Sequence, residues 1–149
     1  MSISDDIFTR GWISGTCGGL LGAIFGILFK YIGFTTLSVT EWSAILIYGR
    51  TPPFSLIDQL YAMIILAGTV GIMGIIFAFL LPFITDKNIY FKGWIIFIIP
   101  WWFIFLFTVL AKTKGTMNLP VATAFSNGIS ISIMAFSAVY IYRLLAPKT

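Results

Sequence analysis

Leu60–Ile84 reads LYAMIILAGTVGIMGIIFAFLLPFI, about 25 residues without one charged side chain. A helix of about 20 apolar residues crosses the hydrocarbon core of a bilayer. At mid-membrane each Leu, Ile, Phe or Val favours insertion by roughly 0.3–0.6 kcal/mol, whereas a Lys or Asp costs roughly 2.5–3.5 kcal/mol. The stretch therefore belongs in lipid.

Three more stretches of the same kind surround it: Trp12–Phe34, Gly93–Ala111 and Val121–Leu145, with almost every charge in the segments between them. Hydrophobic residues make up 59% of the 149, charged residues 9%, and mean hydropathy is +1.02. Soluble domains average about 25% charged residues. A soluble chain of 16.6 kDa cannot bury four such helices, because small domains leave too much surface uncovered. Transmembrane β-strands alternate apolar and polar residues, and these stretches are apolar on every face. The expected fold is an all-α membrane protein. It is a single domain, 1–149, built as a four-transmembrane-helix bundle with spans at about 12–34, 56–84, 93–111 and 120–145.

The connection Thr35–Gln59 is the only long one. Ser38-Val39-Thr40-Glu41 has capping-box spacing, Gly49 closes the apolar run that begins there, and Pro52-Pro53 breaks the chain. This predicts a helix at about 39–48, too short to span. Trp42 and Tyr48 suit the headgroup level, so a short interfacial helix is expected. The alternative is a re-entrant segment lining a pore. Asn118 is placed to cap the fourth span, with Pro120 in its first turn, and Pro100 is expected to kink the third.

Four spans put both termini on one side. That side carries Arg10, Lys87, Lys92, Arg143 and Lys148, against Lys30, Arg50, Lys112 and Lys114 opposite. The small excess of basic residues places both termini in the cytoplasm.

Within the first span Gly11, Gly15, Gly18, Gly22, Gly26 and Gly33 fall along one helical face. The second span repeats the pattern in Ala67, Gly71, Gly74 and Ala78. Lacking side chains, such faces let helix backbones approach closely, which drives association in lipid. They read as a packing groove, and the alternative is a glycine-lined path for a small solute. The third span is crowded with rings, among them Phe97, Trp101, Trp102, Phe103, Phe105 and Phe107, suited to filling grooves or facing lipid. In the fourth, Asn127, Ser130 and Ser137 share a face. Such residues bond across helices, or alternatively line a polar path.

Chemistry is sparse. There is no His and one cysteine, Cys17, which excludes Ser-His-Asp triads, His/Cys metal sites and an intrachain disulfide. The acids are scattered. No charge is expected deep in the membrane, the usual mark of a pump or proton relay, because Lys30 and Arg143 lie near span ends where they snorkel. No catalytic residue, metal site or cofactor is expected. The net charge of +4 is divided among loops and gives no nucleic-acid surface. The expected partners are the lipid bilayer and either another membrane protein or a second copy.

Gly18-Gly19-Leu20-Leu21-Gly22-Ala23 with Lys30-Tyr31 is similar to the opening helix of four-helix fluoride channels. However, Gly33–Ser38, which resembles their threonine-serine motif, comes after the first helix instead of lying in the third. Their second-helix asparagine is also missing, so no fluoride activity is carried over. Over most of its length the chain resembles the YqhR-type small membrane proteins of spore-forming bacteria. The shared features are Gly18-Gly19 in the first helix, a long first connection bearing Phe and Thr, the Gly93-Trp94 start of an aromatic third helix, and four spans. That resemblance implies a four-span topology in the bacterial cytoplasmic membrane and no activity. The function expected is a non-enzymatic accessory or scaffold subunit acting through glycine-mediated packing. The alternative is a small channel or permease protomer for an uncharged or weakly charged solute.

Overall fold

Hydrocarbon offers no water to backbone amides and carbonyls, so apolar stretches satisfy them internally as helices. The computed structural model describes residues 6–84, 87–117 and 119–146. It contains α1 Ile7–Tyr31, α2 Val39–Tyr48, α3 Leu56–Ile84, α4 Ile89–Leu110 and α5 Val121–Leu144, and no strand among the described residues. All but α2 are long and apolar enough to cross a membrane. The chain is an all-helical integral membrane protein.

Helix ends reflect local chemistry. α1 starts at Ile7, ahead of Trp12, because the Asp6 carboxylate accepts from the Phe8 amide at 3.0 Å and from the Thr9 hydroxyl. The Thr9 hydroxyl, first among these contacts, holds the Asp6 carboxyl below the usual aspartate value. α1 ends at Tyr31, before Gly33 turns the chain at φ 77°. α4 begins at Ile89, earlier than Gly93, after Asn88 at φ 56°. That left-handed conformation is one that asparagine tolerates. α4 continues through Pro100, and α5 starts immediately after Pro120. Asn118 lies outside the described residues.

α1 is the centre of the bundle, packed on α3 along one side and α5 along the other, while α4 rests mainly on α5. The spans alternate in direction. Gly11 lies against Gly74 and Ala78, Gly15 against Gly71, and Gly19 against Ala67, an antiparallel register with α3. Gly18 and Gly22 meet α5 at Ala138 and Ser130, also antiparallel. The Arg10 guanidinium lies 4.3 Å from the centre of the Tyr142 ring, joining the start of α1 to the end of α5. α4 is the least covered span: 17% of its apolar window is buried, against 44% for α5.

α2 packs mainly on α3, with α1 beside it, and its Val39, Thr40, Glu41, Trp42, Ala44 and Ile45 are all buried. Trp42 stacks toward Phe105 of α4, with ring centres 5.3 Å apart. Val39 and Thr69 line the same cavity, and Thr69 is about 20 Å along α3 at 1.5 Å per residue. At the other end of α2, the Tyr48 ring meets Phe54 and Tyr61, and Arg50 pairs with Asp58 at 2.6 Å, all near the start of α3. The segment 32–38 thus runs back along the end of α1 and the start of α5, and α2 leads from it to the start of α3.

Candidate functional site

Backbone donors outside a helix need partners wherever the chain packs against itself. The stretch 32–38 meets that demand completely on the donor side. The amides of Ile32 and Gly33 bond to Leu28 and Lys30 carbonyls, and those of Phe34 and Thr35 both bond to the Phe29 carbonyl. Next, Thr36 donates to the Thr123 hydroxyl at 3.1 Å, Leu37 to the Thr35 hydroxyl at 3.3 Å, and Ser38 to the Glu41 carboxylate at 3.2 Å.

The turn into α2 is a capping box. Ser38 accepts from the Glu41 amide while Glu41 reaches back to the Ser38 amide. The other Glu41 oxygen takes an ion-pair hydrogen bond from Lys30 at the end of α1. Glu41 is 2% exposed, so a carboxylate is buried in the bundle where none was expected. Lys30 is not simply snorkelling; it neutralises this acid. Trp42, expected at the headgroups, is buried as well.

Facing this turn is a polar seam on α5. Thr123, Ser126, Asn127 and Ser130 are each at most 1% exposed. Ser126 and Ser130 donate to the Thr123 and Ser126 carbonyls of their own helix. Thr123 and Asn127 reach across: the hydroxyls of Thr36 and Thr123 are 2.9 Å apart, and the Asn127 amide nitrogen donates to the Leu37 carbonyl at 3.3 Å. Cross-helix bonds of this type are worth about 1 kcal/mol each in a membrane. Ser137, two turns further along α5, is half-buried and apart from this cluster. The Asn127 side-chain oxygen and the Thr40 hydroxyl have no hydrogen-bond partner among the described residues. Leaving such a buried group unsatisfied costs about 1–3 kcal/mol.

The glycines of the first span form not one outward groove but two inward contacts. A Cβ on Gly11 would lie 2.7 Å from the Gly74 carbonyl oxygen, and one on Gly19 would lie 2.9 Å from the Ala67 Cα. One on Gly15 would be 2.9 Å from the Gly71 Cα, and one on Gly22 would be 2.6 Å from the Ser130 carbonyl oxygen. Gly26 is covered by Val39 of α2, with Ser130 beside it. These faces are filled by the chain's own helices.

Sequence reasoning missed Glu41, Thr35, Thr36, Thr40 and Thr123. The signal available was the capping box itself, which gives Glu41 a local partner and so lowers the cost of burying it. Two apolar cavities lie among the described residues. One of about 150 Å³ lies between α2, α3 and α4, and one of about 360 Å³ between α4 and α5. Among the described residues no three His, Cys, Asp or Glu side chains come together as metal ligands. The arrangement fixes the turn to α1 and α5 through hydrogen bonds and one ion pair. Comparison with protein-family models, curated proteins and solved structures finds no match to this chain.

Proposed function

We propose that the chain is a non-enzymatic accessory or scaffold subunit of a bacterial cytoplasmic membrane, with both termini in the cytoplasm. Its glycine faces would build a fixed core, and α4 would be offered to another span or to a second copy. The observation that carries this reading is the uneven covering of the spans. α1 is packed by glycine contacts on two sides, whereas α4 exposes Trp102, Phe103, Leu106, Phe107 and Leu110. Large exposed aromatic side chains provide contact area at little entropic cost, and such residues anchor interfaces. The size of the native particle, extracted in lipid nanodiscs, tests it. The expected particle is larger than one 16.6 kDa chain, and Phe103→Ala with Phe107→Ala reduces it to a folded single chain. A single chain in native nanodiscs contradicts the proposal.

A second reading, a small permease protomer for an uncharged solute, draws on the buried seam at Asn127 and Ser130 next to the turn into α2. Liposome flux of small neutral solutes that falls in Asn127→Leu would favour it, and absence of flux through folded protein would remove it.

A further inference from the structure

We propose that the cavity between α2, α3 and α4 binds one ring-sized apolar molecule that carries a carbonyl oxygen, with the Trp42 indole N–H donating to that oxygen. The cavity holds about 150 Å³. An apolar cavity of about 150 Å³ lined by Leu, Ile and Phe stays dry and takes up benzene, so a single ring sets the scale of the occupant. A smaller apolar space of about 80 Å³ adjoins it, sharing Leu66, Thr69, Trp101 and Ile104. Leu46, Ile65 and Ile104 line the cavity and are also exposed on the outside of the bundle. It therefore opens towards lipid, and an apolar molecule dissolved there can enter.

The carbonyl follows from one unmatched donor. Trp42 forms a wall of the cavity and is 5% exposed, and its indole N–H is buried with no acceptor among the described residues. An indole nitrogen donates only, and a buried donor left without an acceptor is destabilising. An occupant of the cavity supplies the missing acceptor. The two hydroxyls on the same walls are already donating, Ser43 to the Val39 carbonyl at 3.2 Å and Thr69 to the Ile65 carbonyl at 2.9 Å. The walls thus present one unspent donor among apolar side chains, and Trp101 adds a second aromatic surface. A cyclic ketone or a quinone ring matches that setting, because it accepts and has nothing to donate. No charged side chain lines the cavity, so an ion would be buried there without a counter-charge, which is heavily penalised. The site stands under either reading of function.

The test uses the whole chain in lipid nanodiscs, with cyclohexanone as the probe. Methylcyclohexane, close in size and shape but without an acceptor, is the control. The readout is the NMR signal of the Trp42 indole N–H, assigned by its loss in Trp42→Phe. Cyclohexanone should move that signal downfield in a saturable way, and methylcyclohexane should not. Ser43→Leu, which fills the cavity from α2, should abolish the shift. A signal that does not respond to cyclohexanone overturns the proposal, including one that shows cross-relaxation with water and stays in place. Equal shifts with both probes, or a full shift persisting in Ser43→Leu, overturn it as well. If Ser43→Leu does not fold, Thr69→Phe, at an exposed position on the same cavity, takes its place.

Discussion

Gly15 has no room for a methyl group. A Cβ there would sit 2.9 Å from the Gly71 Cα and 3.0 Å from the Gly74 Cα, both backbone atoms that cannot swing aside. Gly128 on α5 is the opposite case, with nothing within 4 Å of the same added atom. Gly15→Ala should cost about 1–3 kcal/mol through overpacking, while Gly128→Ala should gain about 0.5–1 kcal/mol from helix propensity. Thermal unfolding in detergent compares them, and equal effects would refute the assigned contacts. Spacing in the sequence picked out Gly11, Gly15, Gly18, Gly22 and Gly26 as small-residue positions. It did not say which neighbour each would meet, because spacing fixes a face and not the helix opposite it. Asp6 carries a pH dependence. The Thr9 hydroxyl holds its carboxyl below the ordinary value of 3.8, so the ionised cap stabilises α1 above that value and is lost as pH falls through the lowered one. NMR shifts of Phe8 and Thr9 should therefore stay helical above 3.8 and lose helicity on further acidification. Asp6→Asn should abolish that transition.

At the scale of the element, α2 and the segment that leads into it depend on partners distant in sequence. The helix itself was legible: Ser38 and Glu41 mark its start and Gly49 its end. Its place in the bundle was not. That place is set by Lys30 meeting Glu41, Thr36 meeting Thr123 and Leu37 meeting Asn127, and no local pattern reveals those pairings. Lys30→Met leaves the Glu41 carboxylate buried without its cation. It should cost about 1–3 kcal/mol and raise hydrogen exchange across residues 32–48 more than in α3. Adding Glu41→Gln removes the stranded charge, keeps an oxygen to accept from the Ser38 amide, and should restore most of the protection. Unchanged exchange in Lys30→Met would mean that the pair does not hold the segment.

At the scale of the molecule, the four apolar stretches made the bundle legible from composition alone. Their inequality emerges only from packing. α1 is encased by α3 and α5, α2 lies against α3 and α1, and α4 keeps most of its surface outside the bundle. On the reading proposed above, the bare aromatic face of α4 meets its partner sideways, in the plane of the membrane. The most direct measurement places a photo-reactive residue at Phe103 of α4, and in a second variant at Ile24, an exposed position on α1, with irradiation of native membranes. A partner docked on α4 gives a discrete protein adduct from position 103 that is absent or much weaker from position 24. Lipid adducts alone from position 103 would contradict sideways docking through α4.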